Sequence, residues 1–282
     1  MNLDDALNYL KENPSDTIPV AGGTDLLPRI RSKKMPARKL LDLSGIMDLR
    51  YVKEEQGVIK IGALTTIADL EKQRDSSAST KLLRQVAERF GSPNIRSVAT
   101  VGGNVCAASS SEDLIPAFLV LNANVKIIRK DGTRELPFRD FLISKRKNAL
   151  NGDEILAEVS FTEPRAGTAC SFQKLGMRNI LIIALVSVAT LLEVDLADRR
   201  ISSVRIALNR LRGKIPERTE GVEKWLLGQD LDQKTVEKAT HVLGEELRLT
   251  SDFRASAEYR CEAAKVLLRR ALTQCREDLL GK

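Results

Sequence analysis

Two glycine pairs are the residues of this chain whose type and spacing could do chemistry. The first lies in Val20-Ala21-Gly22-Gly23-Thr24-Asp25-Leu26 and the second in Thr100-Val101-Gly102-Gly103-Asn104. Consecutive glycines accept φ > 0 and carry no Cβ, so successive backbone N–H groups can converge on one concavity and hold a phosphate. Thr24, Thr100 and Asn104 set side-chain donors beside them. Neither pair has the spacing of the G-x-G-x-x-G dinucleotide fingerprint or of a P-loop, so a Rossmann or triphosphate site is not indicated. Residue types alone leave two readings open: a diphosphate site built from both segments, or two ordinary tight turns.

What the chain lacks narrows the chemistry further. It has a single histidine, His241, whereas Ser-His-Asp and Cys-His catalysis need an imidazole base and zinc sites draw on several His or paired Cys. The cysteines Cys106, Cys170, Cys261 and Cys275 lie far apart with no C-x-x-C, which reads as free thiols rather than a metal or iron–sulfur cradle. Over 282 residues, 43% are hydrophobic and 29% charged, the balance of a globular protein with a sizeable core. Only 4% are aromatic, which argues against stacking surfaces for single-stranded nucleic acid. The net charge of +7 suits anionic partners without specifying one. The start, Met1-Asn2-Leu3-Asp4-Asp5, is acidic and unlike a signal peptide. The longest apolar run, residues 180–192, is interrupted by Ser187 and Thr190 and is shorter than the roughly 20 residues of a spanning helix. A cytoplasmic protein without a membrane span is expected.

The elements that must position the glycine pairs follow from periodicity. Leu3, Ala6, Leu7 and Leu10 predict an opening helix, and residues 17–20 a strand that stops at the first glycine pair. Further strands are expected at 39–43 and 57–61, and a helix at 80–90 on Leu82, Leu83, Val86 and Phe90. Residues 91–113 read as a long small-residue loop, 114–121 as an apolar helix. Residues 124–130 and 133–138 read as a hairpin about Asp131-Gly132, and 154–161 as a strand. Proline and glycine break the pattern at 163–167. Beyond it lie a strand at 169–175 and an antiparallel hairpin of 182–194 with 201–208 across the polar turn 195–200. Helices then follow on Val222, Trp225 and Leu226, on Val236, Ala239, Val242 and Leu243, and from about 255 to 280.

The order of motifs is more specific than any one of them. Ala21-Gly22-Gly23-Thr24-Asp25-Leu26-Leu27-Pro28, then Ile61-Gly62-Ala63-Leu64-Thr65-Thr66, then Ala99-Thr100-Val101-Gly102-Gly103-Asn104-Val105-Cys106 and Asp113-Leu114 resemble the FAD-binding medium subunit of the molybdenum hydroxylases. This is the flavoprotein subunit of the carbon monoxide dehydrogenase and xanthine dehydrogenase family. The stretch Ser251-Asp252-Phe253-Arg254-Ala255-Ser256-Ala257-Glu258-Tyr259-Arg260, with Arg269-Arg270-Ala271-Leu272 after it, is similar to that family's closing motif, so the resemblance spans essentially the whole chain. It implies an α+β protein with two α/β subdomains of the vanillyl-alcohol-oxidase-type (PCMH-type) FAD-binding fold, at about 1–55 and 56–165. A C-terminal α+β domain, an antiparallel sheet with helices, would occupy 166–282.

By position the resemblance assigns Val20, Ala21, Gly22, Gly23, Thr24, Asp25 and Leu26 to a first diphosphate loop, and Thr100, Val101, Gly102, Gly103 and Asn104 to a second. It also places Asp113, Phe90, Leu156 and Lys174 at FAD contacts of relatives, and a cation at Lys174 could stabilise a reduced, anionic flavin ring. The plainer readings are a helix cap for Asp113, core packing for Phe90 and Leu156, a solvated strand lysine for Lys174 and a surface position for His241. The basic cluster Arg29, Arg31, Lys33, Lys34, Arg38 and Lys39 reads as a solvated face or as a contact with an iron–sulfur partner. Relatives often carry a proline where this chain has Ser109-Ser110-Ser111-Glu112, and an acidic residue near Gly176-Met177-Arg178-Asn179-Ile180. The function implied is electron transfer from the [2Fe–2S] clusters of a small subunit, through FAD, to NAD, quinone or oxygen. The partners implied are that subunit and a molybdopterin-containing large subunit, in a dimer of heterotrimers, with no catalytic acid–base set, metal or nucleic acid on this chain. The competing readings are a basic phosphate- or nucleic-acid-binding module without enzymatic activity and a self-contained flavin oxidase.

Overall fold

Asn2 accepts the Asp5 backbone N–H at 2.8 Å while Asp5 reaches back to the Asn2 N–H, and this reciprocal cap starts the first helix where the periodicity places it. The computed structural model describes residues 1–36, 39–177, 183–195, 197–209 and 215–281. Arg38 of the basic cluster, Arg178, Asn179 and Ile180 of the glycine-led stretch, Ile182 at the head of the expected hairpin and Leu196 of its turn lie outside the described residues.

In chain order the elements begin with α1 (Leu3–Glu12), β1 (Thr17–Val20), α2 (Leu26–Arg31), β2 (Lys39–Asp42), β3 (Val52–Glu55), β4 (Val58–Gly62) and α3 (Ile67–Glu71). There follow α4 (Ala78–Glu88), α5 (Pro93–Arg96), α6 (Val101–Ala107), α7 (Leu114–Val120), β5 (Asn124–Arg129), β6 (Gly132–Pro137), α8 (Phe138–Phe141), β7 (Leu142–Ser144) and β8 (Lys147–Asn148). The remainder is β9 (Ile155–Thr162), β10 (Ala169–Leu175), β11 (Val186–Val194), β12 (Ile201–Leu208), β13 (Glu217–Arg218), α9 (Glu220–Leu226), α10 (Gln233–Glu246) and α11 (Ala257–Leu280).

These elements form two compact units that share the chain in turns. The first is Met1–Lys72, Ser92–Ala108 and Asn122–Thr162, and the second is Gln73–Gly91, Ser109–Leu121 and Glu163–Lys282. The first unit holds a five-stranded antiparallel sheet in the order β3-β4-β9-β5-β6 and a small parallel pair, β1 with β2. Ile59 and Ile61 of β4 and Val125 and Ile127 of β5 are buried at alternate positions, as an antiparallel sheet with one face on the core requires, whereas β9 is buried without a break from Ile155 to Val159, so both of its faces are covered.

The second unit is built on the antiparallel sheet β10-β11-β12-β13. One face of that sheet, including Ala169, Val186, Val188, Leu192, Ile206 and Leu208, closes on the apolar sides of α9, α10 and α11. Helix α7 also packs against β11 and β12, and every residue of it is buried. Such an all-round apolar helix is stable only inside a core.

Two expectations about local structure need correction. Residues 91–113 are not one loop: Ser92 caps α5, and Thr100 accepts the Gly103 N–H at 3.0 Å to cap α6, because a hydroxyl at the N-cap outweighs the low helix propensity of two glycines. The β5–β6 turn is Lys130-Asp131, one position earlier than expected, since Arg129 pairs with Gly132. Both turn residues are held by α1, Lys130 by Asp4 and Asp131 by Lys11.

Candidate functional site

The first glycine pair follows β1 directly. The Leu43 N–H donates to the Val20 carbonyl at 2.8 Å and holds the strand end in place. Gly22 presses so closely on the Val98 carbonyl that a Cβ there would overlap it, and it lies against Ala99 as well. Gly23 has φ +65, the left-handed region that glycine adopts freely. Among the described residues, the successive backbone N–H groups from Gly22 to Leu26 have no acceptor. A row of adjacent amides left without acceptors is a ready cradle for an anion.

The second glycine pair stands beside the first within the same unit, because Val98 and Ala99, which meet Gly22, run straight into Thr100. Its amides, however, are all used internally. Val101 donates to the Thr65 carbonyl at 2.9 Å, Gly102 to the Ala63 carbonyl at 2.8 Å, and Gly103 and Asn104 to the hydroxyl and carbonyl of Thr100, each at 3.0 Å. The amide-cradle reading is therefore corrected for this segment. Gly102 is glycine because an added Cβ would lie 2.7 Å from the Ala63 Cβ, while Gly103 is exposed and a Cβ there would meet only the Thr100 hydroxyl at 2.9 Å. The motif at residues 61–66 thus acts as the brace of α6, and Thr66 forms a β-bridge to Thr100.

In the second unit Lys174 of β10 is not a solvated strand residue. Its Nζ donates to Asp113 Oδ2 at 2.5 Å and to the Arg89 carbonyl at 3.0 Å, with the two side chains only 5% and 8% exposed. Asp113 stands at the N-cap of α7 but makes no side-chain cap. Burial pushes its carboxyl up, against the pull of Lys174, and its buried Oδ1 has no partner among the described residues. A buried acceptor left unpaired costs free energy until a donor reaches it, and a cofactor hydroxyl is such a donor.

Phe90 is half-buried just past α4, and Leu156 is buried on β9 opposite Ile127. Arg31, Lys33 and Lys34 of the basic cluster are exposed, whereas Arg29 pairs with Asp25 and Lys39 with Asp16. His241 is exposed on α10. Burial pushes the thiols of Cys106 and Cys170 up to about 12, which keeps them protonated at neutral pH. No group of His, Cys, Asp and Glu among the described residues could hold a metal ion, and no helix there is long and apolar enough to cross a membrane.

Sequence reasoning missed three residues that complete these arrangements. Arg146 donates to Asp25 at 2.7 and 3.2 Å. Gln85 of α4 and Arg89 at its C-terminal cap take the free edge of β10, Gln85 Oε1 accepting the Phe172 N–H at 2.7 Å and Arg89 donating to the Phe172 carbonyl at 2.5 Å. Only the spacing of Gln85 and Arg89, one helical turn apart, carried any signal, and it names no partner.

In the first unit, the unsatisfied amide row and the glycine close approach beside it are what a diphosphate would satisfy, so the residues there fit FAD; in the second unit, taken by itself, the orphaned Asp113 acceptor is what a hydroxyl donor would satisfy. Family models agree: residues 1–164 match the FAD binding domain in molybdopterin dehydrogenase, and residues 172–275 the CO dehydrogenase flavoprotein C-terminal domain. The chain therefore belongs to the family of FAD-binding subunits of molybdenum hydroxylases, an oxidoreductase family, and FAD is its cofactor. It is 29% identical to the nicotinate dehydrogenase FAD-subunit of Eubacterium barkeri, over 93% of this chain and 89% of that one. It is 27% identical to the xanthine dehydrogenase FAD-binding subunit of Escherichia coli O157:H7, over 99% and 95%. Among solved structures, the reconstituted CO dehydrogenase from Oligotropha carboxidovorans superposes with a TM-score of 0.91 at 27% identity, covering 98% of this chain and 96% of that one. The expected α+β fold, an FAD-binding region followed by a C-terminal domain, is borne out.

Proposed function

We propose that this chain is the electron-transfer subunit of a molybdenum hydroxylase complex. The observation that carries the proposal is the partnerless amide row from Gly22 to Leu26 set against Val98 and Ala99, in a chain whose relatives are FAD subunits of dehydrogenases. Bound FAD would supply two-electron redox chemistry, taking electrons from the [2Fe–2S] clusters of a small subunit that serves a molybdopterin-containing large subunit and passing them to NAD, quinone or oxygen. The chain's own residues bind, orient and tune. The amides of Gly22, Gly23, Thr24, Asp25 and Leu26, with Val20 and Ala21 leading in, hold the diphosphate. The exposed Gly103, flanked by Thr100, Val101, Gly102 and Asn104, gives the cofactor a surface without a side chain in the way. Asp113 Oδ1 accepts from a cofactor hydroxyl, Phe90 and Leu156 supply apolar contact, and Lys174 places a fixed positive charge that favours a reduced, anionic ring. The exposed Arg31, Lys33 and Lys34 offer an acidic partner a basic face. Assembly as a dimer of heterotrimers in the cytoplasm completes the proposal.

The test is the visible spectrum of the purified full chain after incubation with FAD and removal of excess. A flavin absorption band at one FAD per chain, bleached by dithionite and restored by an acceptor, is the expected result. A colourless chain that binds RNA with steep salt dependence would instead identify a basic binding module. Turnover of a substrate without partner subunits would identify a self-contained oxidase.

A further inference from the structure

Arg146, between β7 and β8, has φ +66, a left-handed backbone that a long side chain keeps only where its surroundings impose it. The surroundings are the end of α6 and the first glycine loop. The Arg146 N–H donates to the Ala108 carbonyl at 2.8 Å, and its guanidinium to the Ala107 carbonyl at 3.4 Å. The same guanidinium makes the paired contact to both oxygens of Asp25 at 2.7 and 3.2 Å. Asn148, two residues on, donates to the Cys106 carbonyl at 2.8 Å. One short hairpin therefore ties the carbonyl end of α6, whose beginning carries the second glycine pair, to the carboxylate of the first glycine loop.

That carboxylate is out of place in an anion cradle. Asp25 belongs to the amide row, and a negative charge there repels a diphosphate unless a cation engages it. Arg29, four residues on, reaches it at only 3.5 Å, while Arg146 holds it with two short bonds. We infer that Arg146 is a positioning residue for the cofactor diphosphate and acts through Asp25: it neutralises the carboxylate and pins it, leaving the Gly22–Leu26 amides free for the phosphates. The inference rests on the reading that FAD binds at this loop.

Three variants of the full chain, stripped of flavin and titrated with FAD, decide it. Arg146→Gln is expected to bind FAD about tenfold more weakly, and the loss to shrink between about 0.05 M and about 0.5 M salt, since partly exposed charge repulsion is screened. Asp25→Asn in the Arg146→Gln background is expected to restore affinity to within about twofold of the parent, a coupling that additive, independent roles would not give. Arg146→Lys keeps the charge but loses the paired contact, so its affinity should fall between those of the parent and Arg146→Gln, which guards against a Gln variant that fails to fold. Parent affinity in Arg146→Gln, or an undiminished loss once Asp25 is Asn, overturns the inference. A parent chain that binds no FAD defeats the functional reading instead, and the same series titrated with inorganic pyrophosphate then judges Arg146 alone.

Discussion

Lys174 and Asp113 form a buried ion pair whose two halves depend on each other. A charge removed from water is tolerated when paired, and removing one partner leaves the other stranded, at a cost of about 3–5 kcal/mol. Lys174→Met is therefore expected to lower the unfolding free energy at pH 7 by about that amount, with Asp113→Asn in the same background recovering part of it. Equilibrium urea unfolding measures both, and a Lys174→Met chain as stable as the parent would refute the pair. The pH dependence has a definite sign. Burial raises the Asp113 carboxyl above its ordinary 3.8, so the folded chain binds that proton more tightly than the unfolded one. Its contribution favours folding fully below 3.8 and is lost as pH climbs through the folded value. Asp113→Asn should remove that decline, leaving a flatter stability profile from pH 4 upward.

At the scale of elements, the free edge of β10 shows how helix and sheet are joined. An edge strand presents unpaired N–H and C=O groups, and at Phe172 both are taken by side chains, those of Gln85 on α4 and of Arg89 at its cap. Arg89 also offers its own carbonyl to Lys174, so the clamp and the ion pair share a residue. Replacing Gln85 and Arg89 together by Ala should cost about 1–3 kcal/mol for the buried groups left unpaired. It should also speed hydrogen exchange at the Phe172 amide well before the core strands; unchanged protection there would show that the edge is held by something else. Little of this clamp was legible in the sequence. The strands at 169–175 and 201–208 were, because β-branched and apolar residues at strand length bounded by turns leave few alternatives. The helix α6 was not, because two glycines argue against a helix locally, and although Thr100 supplies a local cap, the bracing of its first turn is a tertiary outcome, supplied by Ala63 and Thr65 from another segment.

For the whole molecule the governing feature is that the chain passes back and forth between its units, changing at 72/73, 91/92, 108/109, 121/122 and 162/163. Linear motifs disclosed the family because they keep their order along the chain, but no periodicity says that α7, read correctly as an apolar helix, is buried against strands that come far later. This has a consequence for cutting the chain after residue 164, where the first family match ends. Such a fragment keeps α4 and α7 but loses β11 and β12, on which α7 packs. Leu114, Ile115, Phe118, Leu119 and Val120, all buried in the full chain, would then meet water. At about 2 kcal/mol for each buried apolar side chain the loss is on the order of 10 kcal/mol, as large as the entire stability of a typical domain. The fragment 1–164 is expected to aggregate or to lack cooperative thermal unfolding, and to retain no FAD after gel filtration, while the full chain retains it. A soluble fragment with a sharp melting transition and bound flavin would show instead that the first unit folds and holds its cofactor without the sheet of the second.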